Sequence, residues 1–196
     1  MSLLTSQQVA DLLGQHIGCT VYPPRIRVLA EANLLTNHGT RGRHFFDSTE
    51  VASFLATHPH IRTLPFGHLR VSVLPTAPDI QLELAPPHRR FRTHMGYDRR
   101  NTAKLRRVQR TRGITAAWDL RRDDAHRIVE EGLPIVGCVK GVVEPDMIFW
   151  PHTVVPLMNG LFGFDCDPAR VGHPAVPTGA IIDVGQGNLW KLIYSP

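Results

Sequence analysis

No apolar run in the chain approaches the roughly 20 residues that a bilayer-spanning helix needs, so its 42% hydrophobic content has to fold inward. Cysteine is scarce: Cys19, Cys138 and Cys166 are odd in number, far apart and in no CxxC pair. That excludes a disulfide framework and a zinc knuckle and leaves free thiols. The opening residues, MSLLTSQQVADLLG, lack the positive region and small-residue cleavage site of a secretory signal, so they are read as mature structure in a cytoplasmic protein. Also missing are a Walker A loop, a GxGxxG after a strand, an HExxH helix, a GxSxG elbow and paired zinc ligands. Asp165 and Asp167, with Lys140 or Lys191, are the only set that could be forced into a metal-dependent nuclease centre, and Asp123 and Asp124 read as an ordinary solvated helix start. The expectation is therefore a protein without catalytic function, cofactor or metal.

Acidic residues are scarcest where basic ones are densest. Between residues 89 and 112 (RRFRTHMGYDRRNTAKLRRVQRTR) ten of 24 residues are Arg or Lys and only Asp98 is acidic, a local charge of about +9. Residues 1–88 carry six basic and six acidic side chains, residues 113–127 three of each, and residues 128–196 three basic against seven acidic. The whole excess of +5 thus sits in one segment. Guanidinium forks match phosphate oxygens, so Arg89, Arg90, Arg92, Arg99, Arg100, Lys104, Arg106, Arg107, Arg110 and Arg112 point to a polyanion, with nucleic acid the first choice. Asn101 caps a helix over residues 102–112 that Gly113 ends, and its apolar stripe is thin. Two readings stand: a strap along the phosphates, or a solvated linker whose arginines pair with the acidic C-terminal part. Phe91 and Tyr97 among the cations favour the strap, since rings beside cations stack on bases.

Sixteen prolines and sixteen glycines, dense over residues 65–87 and 145–187, predict short elements and many turns there. The eleven histidines are dispersed, and His58 with His60 reads as a turn rather than a metal pair. Three regions follow: 1–60, a connector over 61–112, and 113–196.

In the first region Thr5 caps a helix whose Val9, Leu12 and Leu13 share a face, with Gly14 ending the run. Pro24 begins a second helix that turns Ile26, Leu29 and Ala30 inward and leaves Arg25, Arg27 and Val28 outside. NHGTRGRHFF reads as a hairpin with a basic tip, and Asp47 or Ser48 caps a third helix closed by Val51, Phe54 and Leu55. Helix, helix, basic wing, helix resembles the winged helix-turn-helix modules of the MerR and excisionase families, through QQVADLLG, RIRVLAEANLL, GTRGRHFF and STEVASFL. The resemblance implies that the second helix enters a major groove, with Arg25 and Arg27 near base edges or phosphates and Arg41, Arg43 and His44 at the wing.

In the connector, LRVSVL and IQLELA read as the two strands of a hairpin turning at PTAPD. Beyond it, ITAAWDL is strand-like, RRDDAHRIVEEG a helix, PIVGCVKGVVE a strand pair or bent strand, and MIFW, LFGFD, AIIDV and LWKLIY short strands. Many short strands with one helix imply a small barrel. RGITAAWDLRRDDAHRI, VGCVKGVVEPDMIFW, NGLFGFDCDPA and GNLWKLIY are similar to the PUA-like barrels, the superfamily of ASCH, EVE, YTH and SRA domains. That similarity implies nucleic-acid recognition, in several branches through a flipped or modified base held by rings. Trp118, Phe149, Trp150, Phe162, Phe164 and Trp190 are candidate rings, and Asp119, Asp165 or Asn188 a candidate for reading a base edge.

The expected fold is α+β, a winged helix-turn-helix module and a small mixed barrel joined by a basic connector. The expected function is double-stranded DNA binding, with the barrel reading a modified or flipped base, in a nucleoid-associated regulator. A regulator whose C-terminal domain binds a small ligand or protein partner is the alternative, and RNA binding the third reading. No leucine heptads follow the third helix, which accords with a monomer.

Overall fold

A computed structural model of the chain describes residues 2–40, 42–75, 77–78, 94–97, 99, 111–112, 114–115, 118–157, 160–184 and 189–194. The candidate residues Arg41, Arg89, Arg90, Arg92, Arg100, Lys104, Arg106, Arg107, Arg110 and Asn188, the strand IQLELA and most of the helix over 102–112 lie outside them. Among the described residues are four α-helices and twelve strands in several sheets, a mixed fold in keeping with the α+β class. No described helix is long and apolar enough to cross a membrane.

Strand β1 (Leu3–Thr5) leads into α1 (Ser6–Ile17) through a capping box: the Gln8 N–H donates to Thr5 Oγ1 and the Thr5 N–H to Gln8 Oε1. Val9, Leu13 and Ile17 recur at helical spacing and are buried, while Leu12 is 37% exposed and faces away from the core. Gly14 does not end the helix, which runs one turn further to Gly18 in the left-handed region at φ 71°. Helix α2 (Pro23–Glu31) starts on two prolines, whose missing N–H groups are not needed in a first turn, and buries Ile26 and Leu29.

The His38 N–H donates to Phe45 O, and Asn37 Oδ1 accepts from the Gly39 and Phe45 N–H groups. The strand that follows, β2 (Phe45–Asp47), pairs with β1 and not with a strand of its own hairpin. Helix α3 (Ser48–Thr57) then closes the unit over Val51 and Phe54.

The remaining chain is mostly sheet. Short β3 (His60–Ile61) and β4 (His68–Ser72) come first, then β5 (Ala77–Pro78) and β6 (His94–Met95), which pair with each other. Helix α4 (Arg122–Glu130) precedes β7 (Ile135–Cys138), β8 (Val142–Val143), a 3-10 turn, β9 (Ile148–Pro156), β10 (Phe162–Val171), β11 (Ala180–Ile182) and β12 (Trp190–Ile193). Five strands form one sheet in the order β10-β9-β7-β4-β12, with β4 and β7 parallel; three form another in the order β3-β11-β8.

Strand β4 is therefore no hairpin strand of the connector. Both of its edges are taken, by β7 and by β12, and its five residues alternate between the apolar Leu69 and Val71 and the polar His68, Arg70 and Ser72. ITAAWDL also departs from expectation: Ile114 and Thr115 are helical, and Trp118 makes a lone bridge to Phe162. Strand β9 extends through residues read as loop after MIFW.

The largest hydrophobic core runs through all three regions, taking in Leu13 and Ile26, Leu69 and Tyr97, Ile135 and Phe164. A second, smaller core between the two larger sheets holds Val136, Cys138, Val143, Ile148 and Ile182. At the seam, His58 at the end of α3 stacks on Phe54 and reaches Glu144 Oε1 at 3.3 Å, both groups buried. The Arg99 N–H donates to Ala32 O beyond α2, and the buried Tyr97 hydroxyl donates to Asp146 at 3.1 Å.

Candidate functional site

The β9–β10 pair is regular from Phe162 to Asp165 and then slips. Cys166 faces Pro151 but Val171 faces Phe149, so the chain between them bulges out of the ladder. A bulge re-aims side chains, and Asp167 Oδ1 tightens this one by accepting from the Ala169 N–H at 2.8 Å. Arg170 stands at its end, its guanidinium carbon 3.4 Å from the centre of the Trp150 ring. The indole is pinned in turn, since Trp150 Nε1–H donates to Gly172 O at 3.0 Å. Gly172 has φ 88°, a conformation that costs other residues strain, and its own N–H returns to Ile148 O.

His173 completes the wall. Its ring lies nearly parallel to Trp150, centroids 5.8 Å apart, and stacks on Phe66 at 3.7 Å. His173 Nδ1 accepts from the Ala175 N–H. Burial, and then the charge of Arg170, hold the imidazole's proton affinity below the usual histidine range, so it is neutral at pH 7. Trp150, Arg170, His173, Pro145 and Val176 line a recess of about 500 Å³. Its floor is an indole carrying a planar cation, and its side is a neutral imidazole. Such a surface accepts a flat, electron-rich ring on the guanidinium and an anionic group at the guanidinium edge.

Of the rings proposed from sequence, only Trp150 lines this recess. Phe149 and Phe164 are core residues, 3% and 0% exposed. Trp118 and Phe162 face each other across their bridge, Trp118 giving its Nε1–H to Ile114 O, and Trp190 sits on β12 packed against the core. Asp119 is exposed and lines neither described cavity. No protein-family model, curated protein or solved structure matches the chain.

The described cations are dispersed. Arg27 and Arg43 are exposed, and His44 is half-buried with Nδ1 enclosed and unbonded. Arg25 does not face outward with Arg27. It turns toward Gly141, and burial lowers the proton affinity of its guanidinium. The side chains of α2 that face solvent are Pro24, Arg27 and Glu31. Arg112 pairs with Asp165 at 2.9 Å beside Cys166, whose thiol burial pushes up to about 12. Arg99 is exposed, its guanidinium 3.7 Å from Glu144.

Sequence reading missed Arg170, His173 and Phe66. A signal was present: Arg170 is one of only three cations after residue 127, and the Asp-Pro pair before it is a turn signature inside an otherwise strand-like run.

Proposed function

We propose that this chain is a double-stranded DNA-binding protein. In this reading α1 to α3 act as a winged helix-turn-helix module, the arginines of residues 89–112 other than Arg99 and Arg112, which face Glu144 and Asp165, follow the phosphates, and the C-terminal strands act as a PUA-like barrel. The recess at Trp150 takes a flipped or modified base. The observation that carries the reading is the Arg170–Trp150 stack walled by His173, a planar cation and rings set at a recess of about 500 Å³, with room for a nucleobase. Stacking of one base on such a platform contributes about 1–3 kcal/mol, enough to offset much of the cost of unstacking it.

The test is binding to one duplex with and without cytosine or adenine methylation at two salt concentrations. The expected result is tighter binding of a methylated duplex, a preference that Trp150→Ala removes. Replacing Arg106, Arg107 and Arg110 by Ala should flatten the log–log salt slope by up to about three units. Equal affinity for all duplexes overturns base reading, and no duplex binding overturns the DNA assignment. The recess volume also supports a second reading, a regulator with a small aromatic anion as ligand, because drug-sized sites span roughly 300–1,000 Å³. Under that reading Trp150→Ala abolishes ligand binding and leaves duplex affinity intact.

A further inference from the structure

Stacking occupies one face of the Arg170 guanidinium and none of its rim. With its carbon 3.4 Å from the centre of the Trp150 ring, the group lies flat on the indole, and its N–H groups point outward in its own plane. Arg170 is exposed and makes no hydrogen bond or ion pair with any described residue. A fork held in orientation and left unengaged is a bidentate donor.

His173 adds a second donor. Its Nδ1 accepts the Ala175 N–H at 3.1 Å, so the proton of the neutral imidazole sits on Nε2. Phe66 stacks on the ring at 3.7 Å and fixes it. The Trp150 Nε1–H is already spent on Gly172 O. Among the described residues that line the recess none carries a carboxylate, a carboxamide or a hydroxyl; apart from Trp150, Arg170 and His173 they are proline, valine and glycine. The side chains therefore offer N–H donors and no free acceptor. A ring that presents an amine there sets donor against donor and loses the bonds it made to water. A 6-oxopurine does the opposite. Its N7 and O6 stand side by side as acceptors at the spacing an arginine fork spans, whereas adenine keeps N7 and replaces O6 by an amine that donates.

We propose that the recess at Trp150 is a site for a free 6-oxopurine, the class of guanine and hypoxanthine, with the rim of Arg170 on N7 and O6 and adenine turned away by its amine. The proposal rests on the second reading given above, a small aromatic anion in this recess, and names the ring that the anion carries.

Isothermal titration of the full-length protein with inosine and adenosine 5′-monophosphates, equal in charge and nearly equal in shape, tests it. The expected result is saturable binding of the inosine nucleotide, about tenfold or more tighter than that of the adenosine nucleotide. Arg170→Lys keeps the cation but not the fork and should bring the two affinities to within about twofold. His173→Phe keeps a ring on Phe66, removes the N–H and should narrow the difference. Equal affinities in the parent chain, a preference for the adenosine nucleotide, or a preference that survives Arg170→Lys overturns the inference and leaves a small ligand in the recess standing. Binding of neither nucleotide overturns it as well, and the small-ligand reading falls with it only if benzoate, a plain aromatic anion, also fails to bind.

Discussion

At the start of α3 the Asp47 carboxylate accepts the backbone N–H groups of Thr49 and Glu50 at 2.7 and 3.0 Å. Those bonds, the one from Glu50 first, hold its pKa below the ordinary aspartate value. A carboxyl depressed in the folded state binds its proton more readily when the chain unfolds. Its contribution to stability is therefore complete above the unfolded pKa of about 3.9 and is lost as pH falls through the lower folded value. Asparagine caps helices as well as aspartate but does not titrate. Asp47→Asn should match the parent chain in urea midpoint at neutral pH and show a flatter decline below about pH 4. Asp47→Ala should lower the midpoint at every pH. Urea unfolding across an acid pH series reads both variants, and parallel acid profiles for Asn and Asp would show that the cap is not the titrating group.

Among the elements, α1 shows where general propensity and local packing disagree. Gly14 lies inside the helix, where replacing glycine by alanine ordinarily gains about 1 kcal/mol. Here a Cβ would stand 2.8 Å from Cys19 O, a backbone atom held by the turn in which the Cys19 N–H bonds Gly14 O. Overpacking against backbone costs about 1–3 kcal/mol, so Gly14→Ala should destabilise, measured by denaturant unfolding. The same contact explains why Gly14, read as a stop, is interior: the chain needs a residue without a side chain to fold the turn back on the helix. The α1 to α3 segment was largely legible, because Thr5, Pro24, Asp47 and the spacing of Val9, Leu13, Ile26 and Phe54 are local signals, although α2 starts one residue earlier, at Pro23. Strand β4 was not, since its partners β7 and β12 are far away in sequence and period-2 patterning says nothing about which strands pair. The Trp150 recess was half legible for a similar reason. Aromatic residues mark it, but a ring in the core and a ring in a cavity look alike until the bulge before Arg170 is placed.

Across the whole molecule, the hydrophobic core passes from the helices into the sheets without a break, and the seam is held by buried polar pairs as well as apolar ones. A boundary that behaves as a linker crosses few buried contacts, whereas His58, Glu144, Tyr97 and Asp146 bind the end of α3 and the middle segment to the turn before β9. Cooperative unfolding is the consequence. The three tryptophans lie at 118, 150 and 190, and three of the four described helices lie within the first 57 residues, so two optical probes report on opposite ends of the chain. Tryptophan emission and far-ultraviolet ellipticity should therefore give superimposable denaturation curves. Glu144→Ala takes away the carboxylate 3.3 Å from the buried His58 Nε2, and a buried polar group left without its partner costs about 1–3 kcal/mol. Because the group sits on the seam, it should shift both curves together and by the same amount. Ellipticity lost before tryptophan emission, in the parent chain or in Glu144→Ala, would mean that the helices unfold as a unit of their own and that the shared core does not couple the two halves.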